Sequence, residues 1–490
     1  MVIGTNAQDE IPLRNCRPYL TQNHFSNKNS RRVSGLIGLE ASKGALRAQD
    51  DNPYIGDKRQ LVVMAAFKDQ AFKGNELQTL EQWNKIFNAS NYSEESFFGS
   101  VHDYFYDQSY GQFRLTFDLF YMVVDNMIKY KSTYYNDENT KYLVQDIMAV
   151  LKDRVDDWAP YDWDGDGYVD QLLIIYSGKG QNDGGGSNTI WAHQMWLSVH
   201  SNCEPITVYS NGKEYIVDKY CCAPELDRKS NYGSFGTICH EYSHCFGLPD
   251  FYYGGTSYLN TWDIMDSGNF IGNGFIPCGY SAFERIFMGW MSPLELITDT
   301  VLYGISALVD KPQAYIIRNE GHPDEYYILE NRQKTGWDSG LPGSGIIVSH
   351  VDYDEQFFLK GRPNDSERQR YSIFPANNKR VANDRNVTGW AYPYEGNNEL
   401  TNTSTPAATL FYANTDSTFL MSKPITGMKV IDGLASFRYS DLISGIPYVS
   451  EESRNLKGQN AWFTIDGRRI TGKPSVHGLY IHEGKLVLIR

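Results

Sequence analysis

The stretch His240–Asp250, HEYSHCFGLPD, decides the reading of this 490-residue chain. His240 and His244 stand four apart, so on a helix both imidazoles project from one face and can grip one Zn²⁺. Glu241 falls beside them, placed to take a proton from a water at the metal. Gly247 can end the helix, because glycine enters the left-handed conformation at little cost. The chain can then fold back so that Asp250 supplies a third, oxygen ligand. Chance produces HExxH in roughly one such chain in a hundred, and the extended HExxHxxGxxD in roughly one in ten thousand. The bland alternatives are two polar histidines on a half-buried helix and an aspartate that merely caps the next turn. Gly247 and Asp250 in joint register weigh against both. The spacing predicts a zinc centre of the peptidase type, with Glu241 as general base.

Downstream lies WDIMDSGNF, residues 262–270, with Met265 between Ile264 and Asp266. A methionine turn at this distance predicts an apolar floor under the metal that fixes the histidine rings.

Together, GTICHEYSHCFGLPDFY and WDIMDSG resemble the immune inhibitor A family of secreted bacterial metallopeptidases, relatives of the metzincins. Further blocks carry the resemblance in order: VHDYFYDQSYGQF (101–113), YDWDGDGYVDQLLIIYSGKG (161–180), IWAHQMW (190–196) and YYILENRQKTGWDSGLPGSGIIVSHVD (326–352). It covers roughly residues 60–360 and implies a secreted or cell-surface bacterial endopeptidase that binds zinc. Some metzincins have a tyrosine two residues after the methionine that helps bind metal or oxyanion. Ser267 stands there in this chain, which leaves that role unassigned, with Tyr280 only a distant candidate.

Residues 162–170, DWDGDGYVD, match the first nine positions of an EF-hand-like loop. Asp162, Asp164 and Asp166 alternate, Gly167 makes the sharp turn, the Tyr168 carbonyl can ligate, and Asp170 follows. Leu173 takes the place of the bidentate glutamate, which argues against a helix–loop–helix sensor. The expectation is a structural Ca²⁺ clip before a strand, since four carboxylates so close repel without a cation.

Composition sets the outer bounds. Hydrophobic residues make up 41% of the chain and aromatics 14%, far from a disordered composition. The net charge of −14 disfavours nucleic acid or anionic membrane as a partner; the resemblance implies proteins or peptides as the substrates. No run of eighteen apolar residues marks a transmembrane helix. Seven cysteines are too few for a disulfide scaffold and odd in number. Cys239 and Cys245, six apart on one helix, point in different directions; Cys221 and Cys222 are each free to bond elsewhere, for example to Cys203 or Cys278.

The expected fold class is α+β: a metzincin-like zincin catalytic domain with twisted sheet and active-site helix, then a β-rich domain and a small C-terminal β-module. Residues 1–57 read as the end of a signal peptide, cleaved near Ala7 or Gln8, followed by a propeptide-like lead-in with Arg31-Arg32 as a processing site. Cys16 there reads as a surface or disulfide-bonded thiol in preference to one that blocks the zinc. The catalytic domain spans 58–293, with strands at 59–67, 113–124 and 171–178. Its helices are expected at 77–88, 93–108, 140–156, 233–247 and 281–290. A β-rich domain covers 294–440, where YYILENRQ and GIIVSHVDY alternate and His350 reads as a satisfied core histidine. After a linker at 441–460, residues 461–490 read as two hairpins turning at Asp466-Gly467 and Glu483-Gly484. That block resembles the C-terminal sorting domains of type IX secretion, which makes secretion machinery a further partner. Two other functions stay open: a catalytically retired surface binding protein on a zincin fold, and a zinc hydrolase of a non-peptide amide.

Overall fold

The computed structural model describes residues 52–131, 138–365, 367–380 and 386–441, together with 462–464, 469–470, 472–474, 478–482 and 485–489. The chain divides into two units, Met1–Ile443 and Ser444–Arg490. Most of the lead-in, including Cys16 and Arg31-Arg32, lies outside the described residues, as do most of the 441–460 linker and both C-terminal turn pairs.

In the first unit the run LVVMAAF becomes the core of β1 (Gly56–Phe67), buried from Gln60 onward. Continuous apolar runs of this kind suit strands covered on both faces. β1 lies between the parallel strands β2 (Phe113–Val124) and β3 (Leu172–Lys179). Before β2 come helices α1 (Glu76–Asn88) and α2 (Val101–Gln108); between β2 and β3 lies α3 (Thr140–Leu151). The sheet continues through β4 (His193–Trp196), which pairs antiparallel with β7 (Lys219–Leu226), giving the order β2-β1-β3-β7-β4. Strands β5 (Ile206–Ser210) and β6 (Lys213–Val217) form a separate antiparallel pair.

Alternate residues of these strands serve two cores. Val62, Met64, Leu173, Ile175, Cys221 and Ala223 face α1, α2 and the helix that carries the HExxH motif. Leu61, Val63, Leu172, Ile174 and Cys222 face α3 through Leu143, Ile147 and Leu151. Each fully buried aliphatic side chain contributes about 1.5–3 kcal/mol, so the two-sided burial fixes the register strongly.

Helix α2 starts later than the Ser93/Glu95 signal predicts. Its N-cap is Ser100, whose side chain accepts the Asp103 amide while Asp103 accepts the Ser100 amide. Just before it, Gly99 leaves room for the Trp337 ring, which a Cβ would meet at 2.7 Å. A distant aromatic therefore sets the boundary. α3 likewise ends at Leu151, not 156.

After the motif helix α4 (Phe235–Cys245) and helix α5 (Ala282–Phe287), the chain turns to β-structure. The strands are β8 (Leu294–Glu295), β9 (Thr300–Ile305), β10 (Ala314–Arg318), β11 (Glu325–Arg332), β12 (Gly345–Asp352) and β13 (Tyr371–Ile373), with a short helix α6 (Glu355–Leu359) before the last. A second sheet has the order β13-β12-β11-β10-β8. The strands β14 (Ile425–Ile431) and β15 (Leu434–Tyr439) join β9 in a third.

The alternation in β11 and β12 sorts residues between two cores, and neither face meets water. Tyr326, Ile328, Ile347 and Val351 join the core of the first sheet, whereas Tyr327, Leu329, Ile346 and Val348 pack with Ile305, Ile425 and Phe437. The largest apolar core thus runs continuously across position 293. His350 is a core histidine, its Nε2 2.8 Å from Glu325 Oε1.

In the second unit, β16 (Trp462–Thr464), β17 (Arg469–Ile470), β18 (Gly478–His482) and β19 (Lys485–Ile489) form an antiparallel sheet in the order β17-β16-β18-β19. The Trp462 and His482 rings stack at 4.1 Å. No helix among the described residues is long and apolar enough to cross a membrane.

Candidate metal centre

Helix α4 buries Ile238, Cys239, Tyr242 and Cys245 against the first sheet, and the Tyr242 hydroxyl donates to Gln60 Oε1 at 2.9 Å. Its start lies against the segment that follows Met265. A Cβ on Gly236 would sit 1.9 Å from the Asn269 carbonyl oxygen, so the close approach needs glycine. At the other end Gly247 takes φ +95° and donates its amide to the His244 carbonyl at 2.9 Å. A Cβ there would meet only Phe287 at 3.8 Å, so the demand is conformational and not steric.

Beyond this turn the backbone is pinned. The Phe251 amide donates to the Met265 carbonyl at 2.9 Å, and Asn364 Nδ2 donates to the Phe251 carbonyl at 2.8 Å. Asp250 is thereby delivered to the histidines. Its Oδ1 lies 3.2 Å from His240 Nε2 and 3.3 Å from His244 Nε2. The two rings stand nearly perpendicular, with centroids 4.8 Å apart.

The orientation of each ring follows from its other nitrogen. His240 Nδ1 lies 2.7 Å from the Ile264 carbonyl, and His244 Nδ1 lies 2.7 Å from the Leu248 carbonyl. A carbonyl only accepts, so each Nδ1 carries the proton and the neutral ring turns a lone pair outward from Nε2. Two such lone pairs and a carboxylate oxygen then converge. His244 Nε2, Asp250 Oδ1 and Glu241 Oε2 are all buried with no hydrogen-bond partner. The short His–Asp distances thus lack hydrogen-bond geometry, and the ligand atoms of His240, His244 and Asp250 come together. That arrangement fits a cation held by His240, His244 and Asp250, whose ligand atoms lie within 4.8 Å of one another.

Burial raises the Asp250 carboxyl, but the two histidines outweigh it and hold the group well below the usual carboxylate range. Burial lowers both histidines, and Asp250 more than reverses this, so both end above their ordinary value. Glu241 is buried; desolvation pushes its carboxyl up to about 8, with His240 opposing and Asp250 adding to the rise. A carboxyl in that range can both take and give a proton near neutral pH.

Met265 is wholly buried, next to Ile264, whose carbonyl accepts from His240 Nδ1. Tyr280 is engaged elsewhere: its hydroxyl meets Ser243 Oγ at 2.5 Å and its ring stacks on Trp290. Ser267 donates to Asp266 Oδ1 at 2.9 Å. Sequence reasoning missed the groups that hold this loop. Asp266 collects the amides of Tyr258, Leu259 and Asn260. Arg332 donates to the carbonyls of Trp262 and Gly279 and is paired with Asp338 at 2.7 Å. The one sequence signal was a Glu and an Arg at core-facing positions of β11, Glu330 and Arg332.

The six described cysteines are all buried and form no disulfide with one another, so the pairings considered for Cys221 and Cys222 are not made. Adjacent residues on a strand face opposite ways. Cys221 turns to Cys245 on α4, whereas Cys222 Sγ lies 3.5 Å from His193 Nδ1.

At 162–170 the carboxylates of Asp162, Asp164 and Asp166 come within 4.8 Å of one another. They also accept the loop's own amides: Asp162 those of Asp166 and Gly167, and Asp166 that of Tyr168. Asp170 is not in that group. Its Oδ2 accepts the Trp163 amide at 2.5 Å, and burial pushes its carboxyl up to about 7 despite Lys219. Tyr168 bridges to Ile216 in parallel register, and β3 follows, so the loop is not flanked by two helices.

Comparison with known proteins bears on the same region. Immune inhibitor A of Bacillus thuringiensis subsp. alesti is 28% identical over 197 residues, covering 33% of this chain and 27% of the relative. The pre-pro-metalloprotease PrtV of Vibrio cholerae serotype O1 (strain M66-2) is 28% identical over 179 residues, covering 31% of this chain and 19% of the relative. The matched region thus spans about a quarter or less of these relatives' lengths. The family model for the catalytic domain of the immune inhibitor A peptidases, M6, matches residues 52–290, a span that contains the whole His240–His244–Asp250 cluster, and this likeness supports a metallopeptidase.

Proposed function

We propose that this chain is a secreted bacterial zinc-dependent endopeptidase with a metzincin-like catalytic domain. The observation that carries the reading is the convergence of His240 Nε2, His244 Nε2 and Asp250 Oδ1, with both rings locked through Nδ1. His240, His244 and Asp250 would hold the metal, and Met265 would floor it. Zinc, when bound, polarises the scissile carbonyl and acidifies the attacking water. Glu241 takes that water's proton on Oε2, the buried oxygen without a partner, and returns it to the leaving amine. Retention of Glu241 weighs against a retired binding protein, because loss of the base would be the first change such a protein tolerates.

The catalytic part is assigned to 58–293, with 294–440 as an accessory β-rich part and 461–490 as a sorting module reached through 441–460. Calcium is assigned to Asp162, Asp164 and Asp166, with the Tyr168 carbonyl beside them, and not to Asp170, whose carboxyl holds the Trp163 amide. The deciding experiment is incubation of purified protein with denatured casein, with and without a zinc chelator, followed by zinc re-addition. Cleavage lost with the chelator and restored by zinc is the expected result. Chelator-insensitive cleavage overturns the metal assignment, and absence of cleavage by zinc-loaded protein overturns the peptidase.

A further inference from the structure

Two acidic side chains meet in the core outside the ligand cluster. Asp263 precedes the Met265 turn and Glu284 lies on α5; both are essentially without solvent exposure. Asp263 Oδ1 accepts the Met265 amide at 2.9 Å, and Glu284 Oε2 accepts the Ser281 amide at 2.6 Å. The remaining oxygens, Asp263 Oδ2 and Glu284 Oε1, are buried and have no donor. The two carboxyl groups are nevertheless within hydrogen-bonding contact of each other. Ionised carboxylates only accept, so two facing acceptors in an apolar core are stable only with a proton between them.

We propose that Asp263 and Glu284 share one proton at neutral pH, and that this carboxyl–carboxylate bond clamps the Met265 turn to helix α5 and so positions the His240 ring. The connection is short. Asp263 holds the Met265 amide, its carbonyl accepts from Gly268, and the intervening Ile264 carbonyl receives His240 Nδ1. Asp263 and Glu284 are therefore positioning residues.

The charged surroundings keep the proton in place. Asp266 repels a charge on Asp263 from within the turn. Arg332 is the cation that favours ionised Glu284, but it is shared with Asp338 and with Glu330, which also accepts the Ala282 amide. Tyr280, Tyr371 and Cys278 are held neutral by burial. Burial raises both carboxyls, so the folded state binds a proton that the unfolded chain releases above about pH 4. The pair's stabilisation is complete at acid pH and is lost as pH rises through its folded pKa.

The test uses two isosteric variants of the full chain. Asp263→Asn puts an amide nitrogen in place of Oδ2, and Glu284→Gln puts one in place of Oε1. Each supplies a permanent N–H to the surviving carboxylate. The expected result is that both single variants fold and lose the alkaline fall in melting temperature shown by the wild type, about one to a few degrees in a chain of this size. The double variant sets two NH₂ groups face to face and should melt below either single one. Difference infrared spectroscopy should show a protonated carboxyl band in the wild type at neutral pH that is gone in each single variant. Single variants that keep the wild-type pH slope, a double variant as stable as the singles, or no difference band would overturn the shared proton. The test does not depend on which reaction the chain catalyses.

Discussion

Replacing Gly236 by alanine sets two effects of opposite sign against each other. Helix propensity favours alanine by at most about 1 kcal/mol. Sterics oppose it, because the new Cβ would lie 1.9 Å from the Asn269 carbonyl oxygen. Ordinary carbon–oxygen contacts are about 3.3 Å, so the two backbones must separate by more than about 1 Å. Backbone on both sides makes this an overpacking change at the costly end of about 1–3 kcal/mol. The net expectation is a loss of about 2 kcal/mol. The strain falls between the start of α4 and the segment after Met265, which are the two supports of the His240 ring. A misplacement of about 1 Å near a catalytic group can cost about 10²-fold in rate. Guanidinium unfolding of wild type and Gly236→Ala, followed by casein cleavage with matched zinc content, measures both effects. An unchanged or raised unfolding midpoint with undiminished cleavage would refute the reasoning, since propensity would then have outweighed the contact.

The remaining expectations concern the metals and the base. Glu241→Gln should retain metal and fold yet lose several powers of ten in peptide hydrolysis, because both proton transfers fail; undiminished hydrolysis would remove Glu241 from the role. Asp250→Ala should lower bound zinc at neutral pH, since two histidines bind far more weakly than three ligands, and full stoichiometric zinc by metal analysis would mean that another residue completes the site. For protein first stripped of calcium, millimolar Ca²⁺ should raise the melting temperature by mass action. Asp164→Asn should abolish that response and leave zinc content unchanged, and a wild-type melting curve indifferent to Ca²⁺ would count against the site at 162–170.

Local rules made much of this molecule legible in advance. The strands at 56–67, 113–124 and 172–179 follow from continuous or alternating apolar runs, and α4 from the HExxH spacing closed by Gly247. The placement of His240, Glu241 and His244 needs only helical geometry, a relation among residues one turn apart. Gly247 at positive φ is equally local. The start of α2 was misread because Ser93 and Glu95 satisfy a generic helix-start pattern, whereas Ser100 and Asp103 close the box beside Trp337, a ring more than two hundred residues away in sequence. β11 and β12 alternate as a half-exposed strand would, yet both faces are covered, because helix α5 packs on one side and the third sheet on the other.

By itself the sequence determined which side chains share the motif helix, where that helix can stop, and which runs of residues form the central sheet. Those properties depend on contacts within a few residues. Tertiary structure alone decided that Asp250 reaches the two histidines, that the Ile264 carbonyl accepts from Nδ1 of the His240 ring, and that Asp263 faces Glu284. Each of these turns on the separate placement of two backbone segments to within about the length of a hydrogen bond. Only the packed core, with Asn364 and Arg332 pinning the loops, supplies that precision.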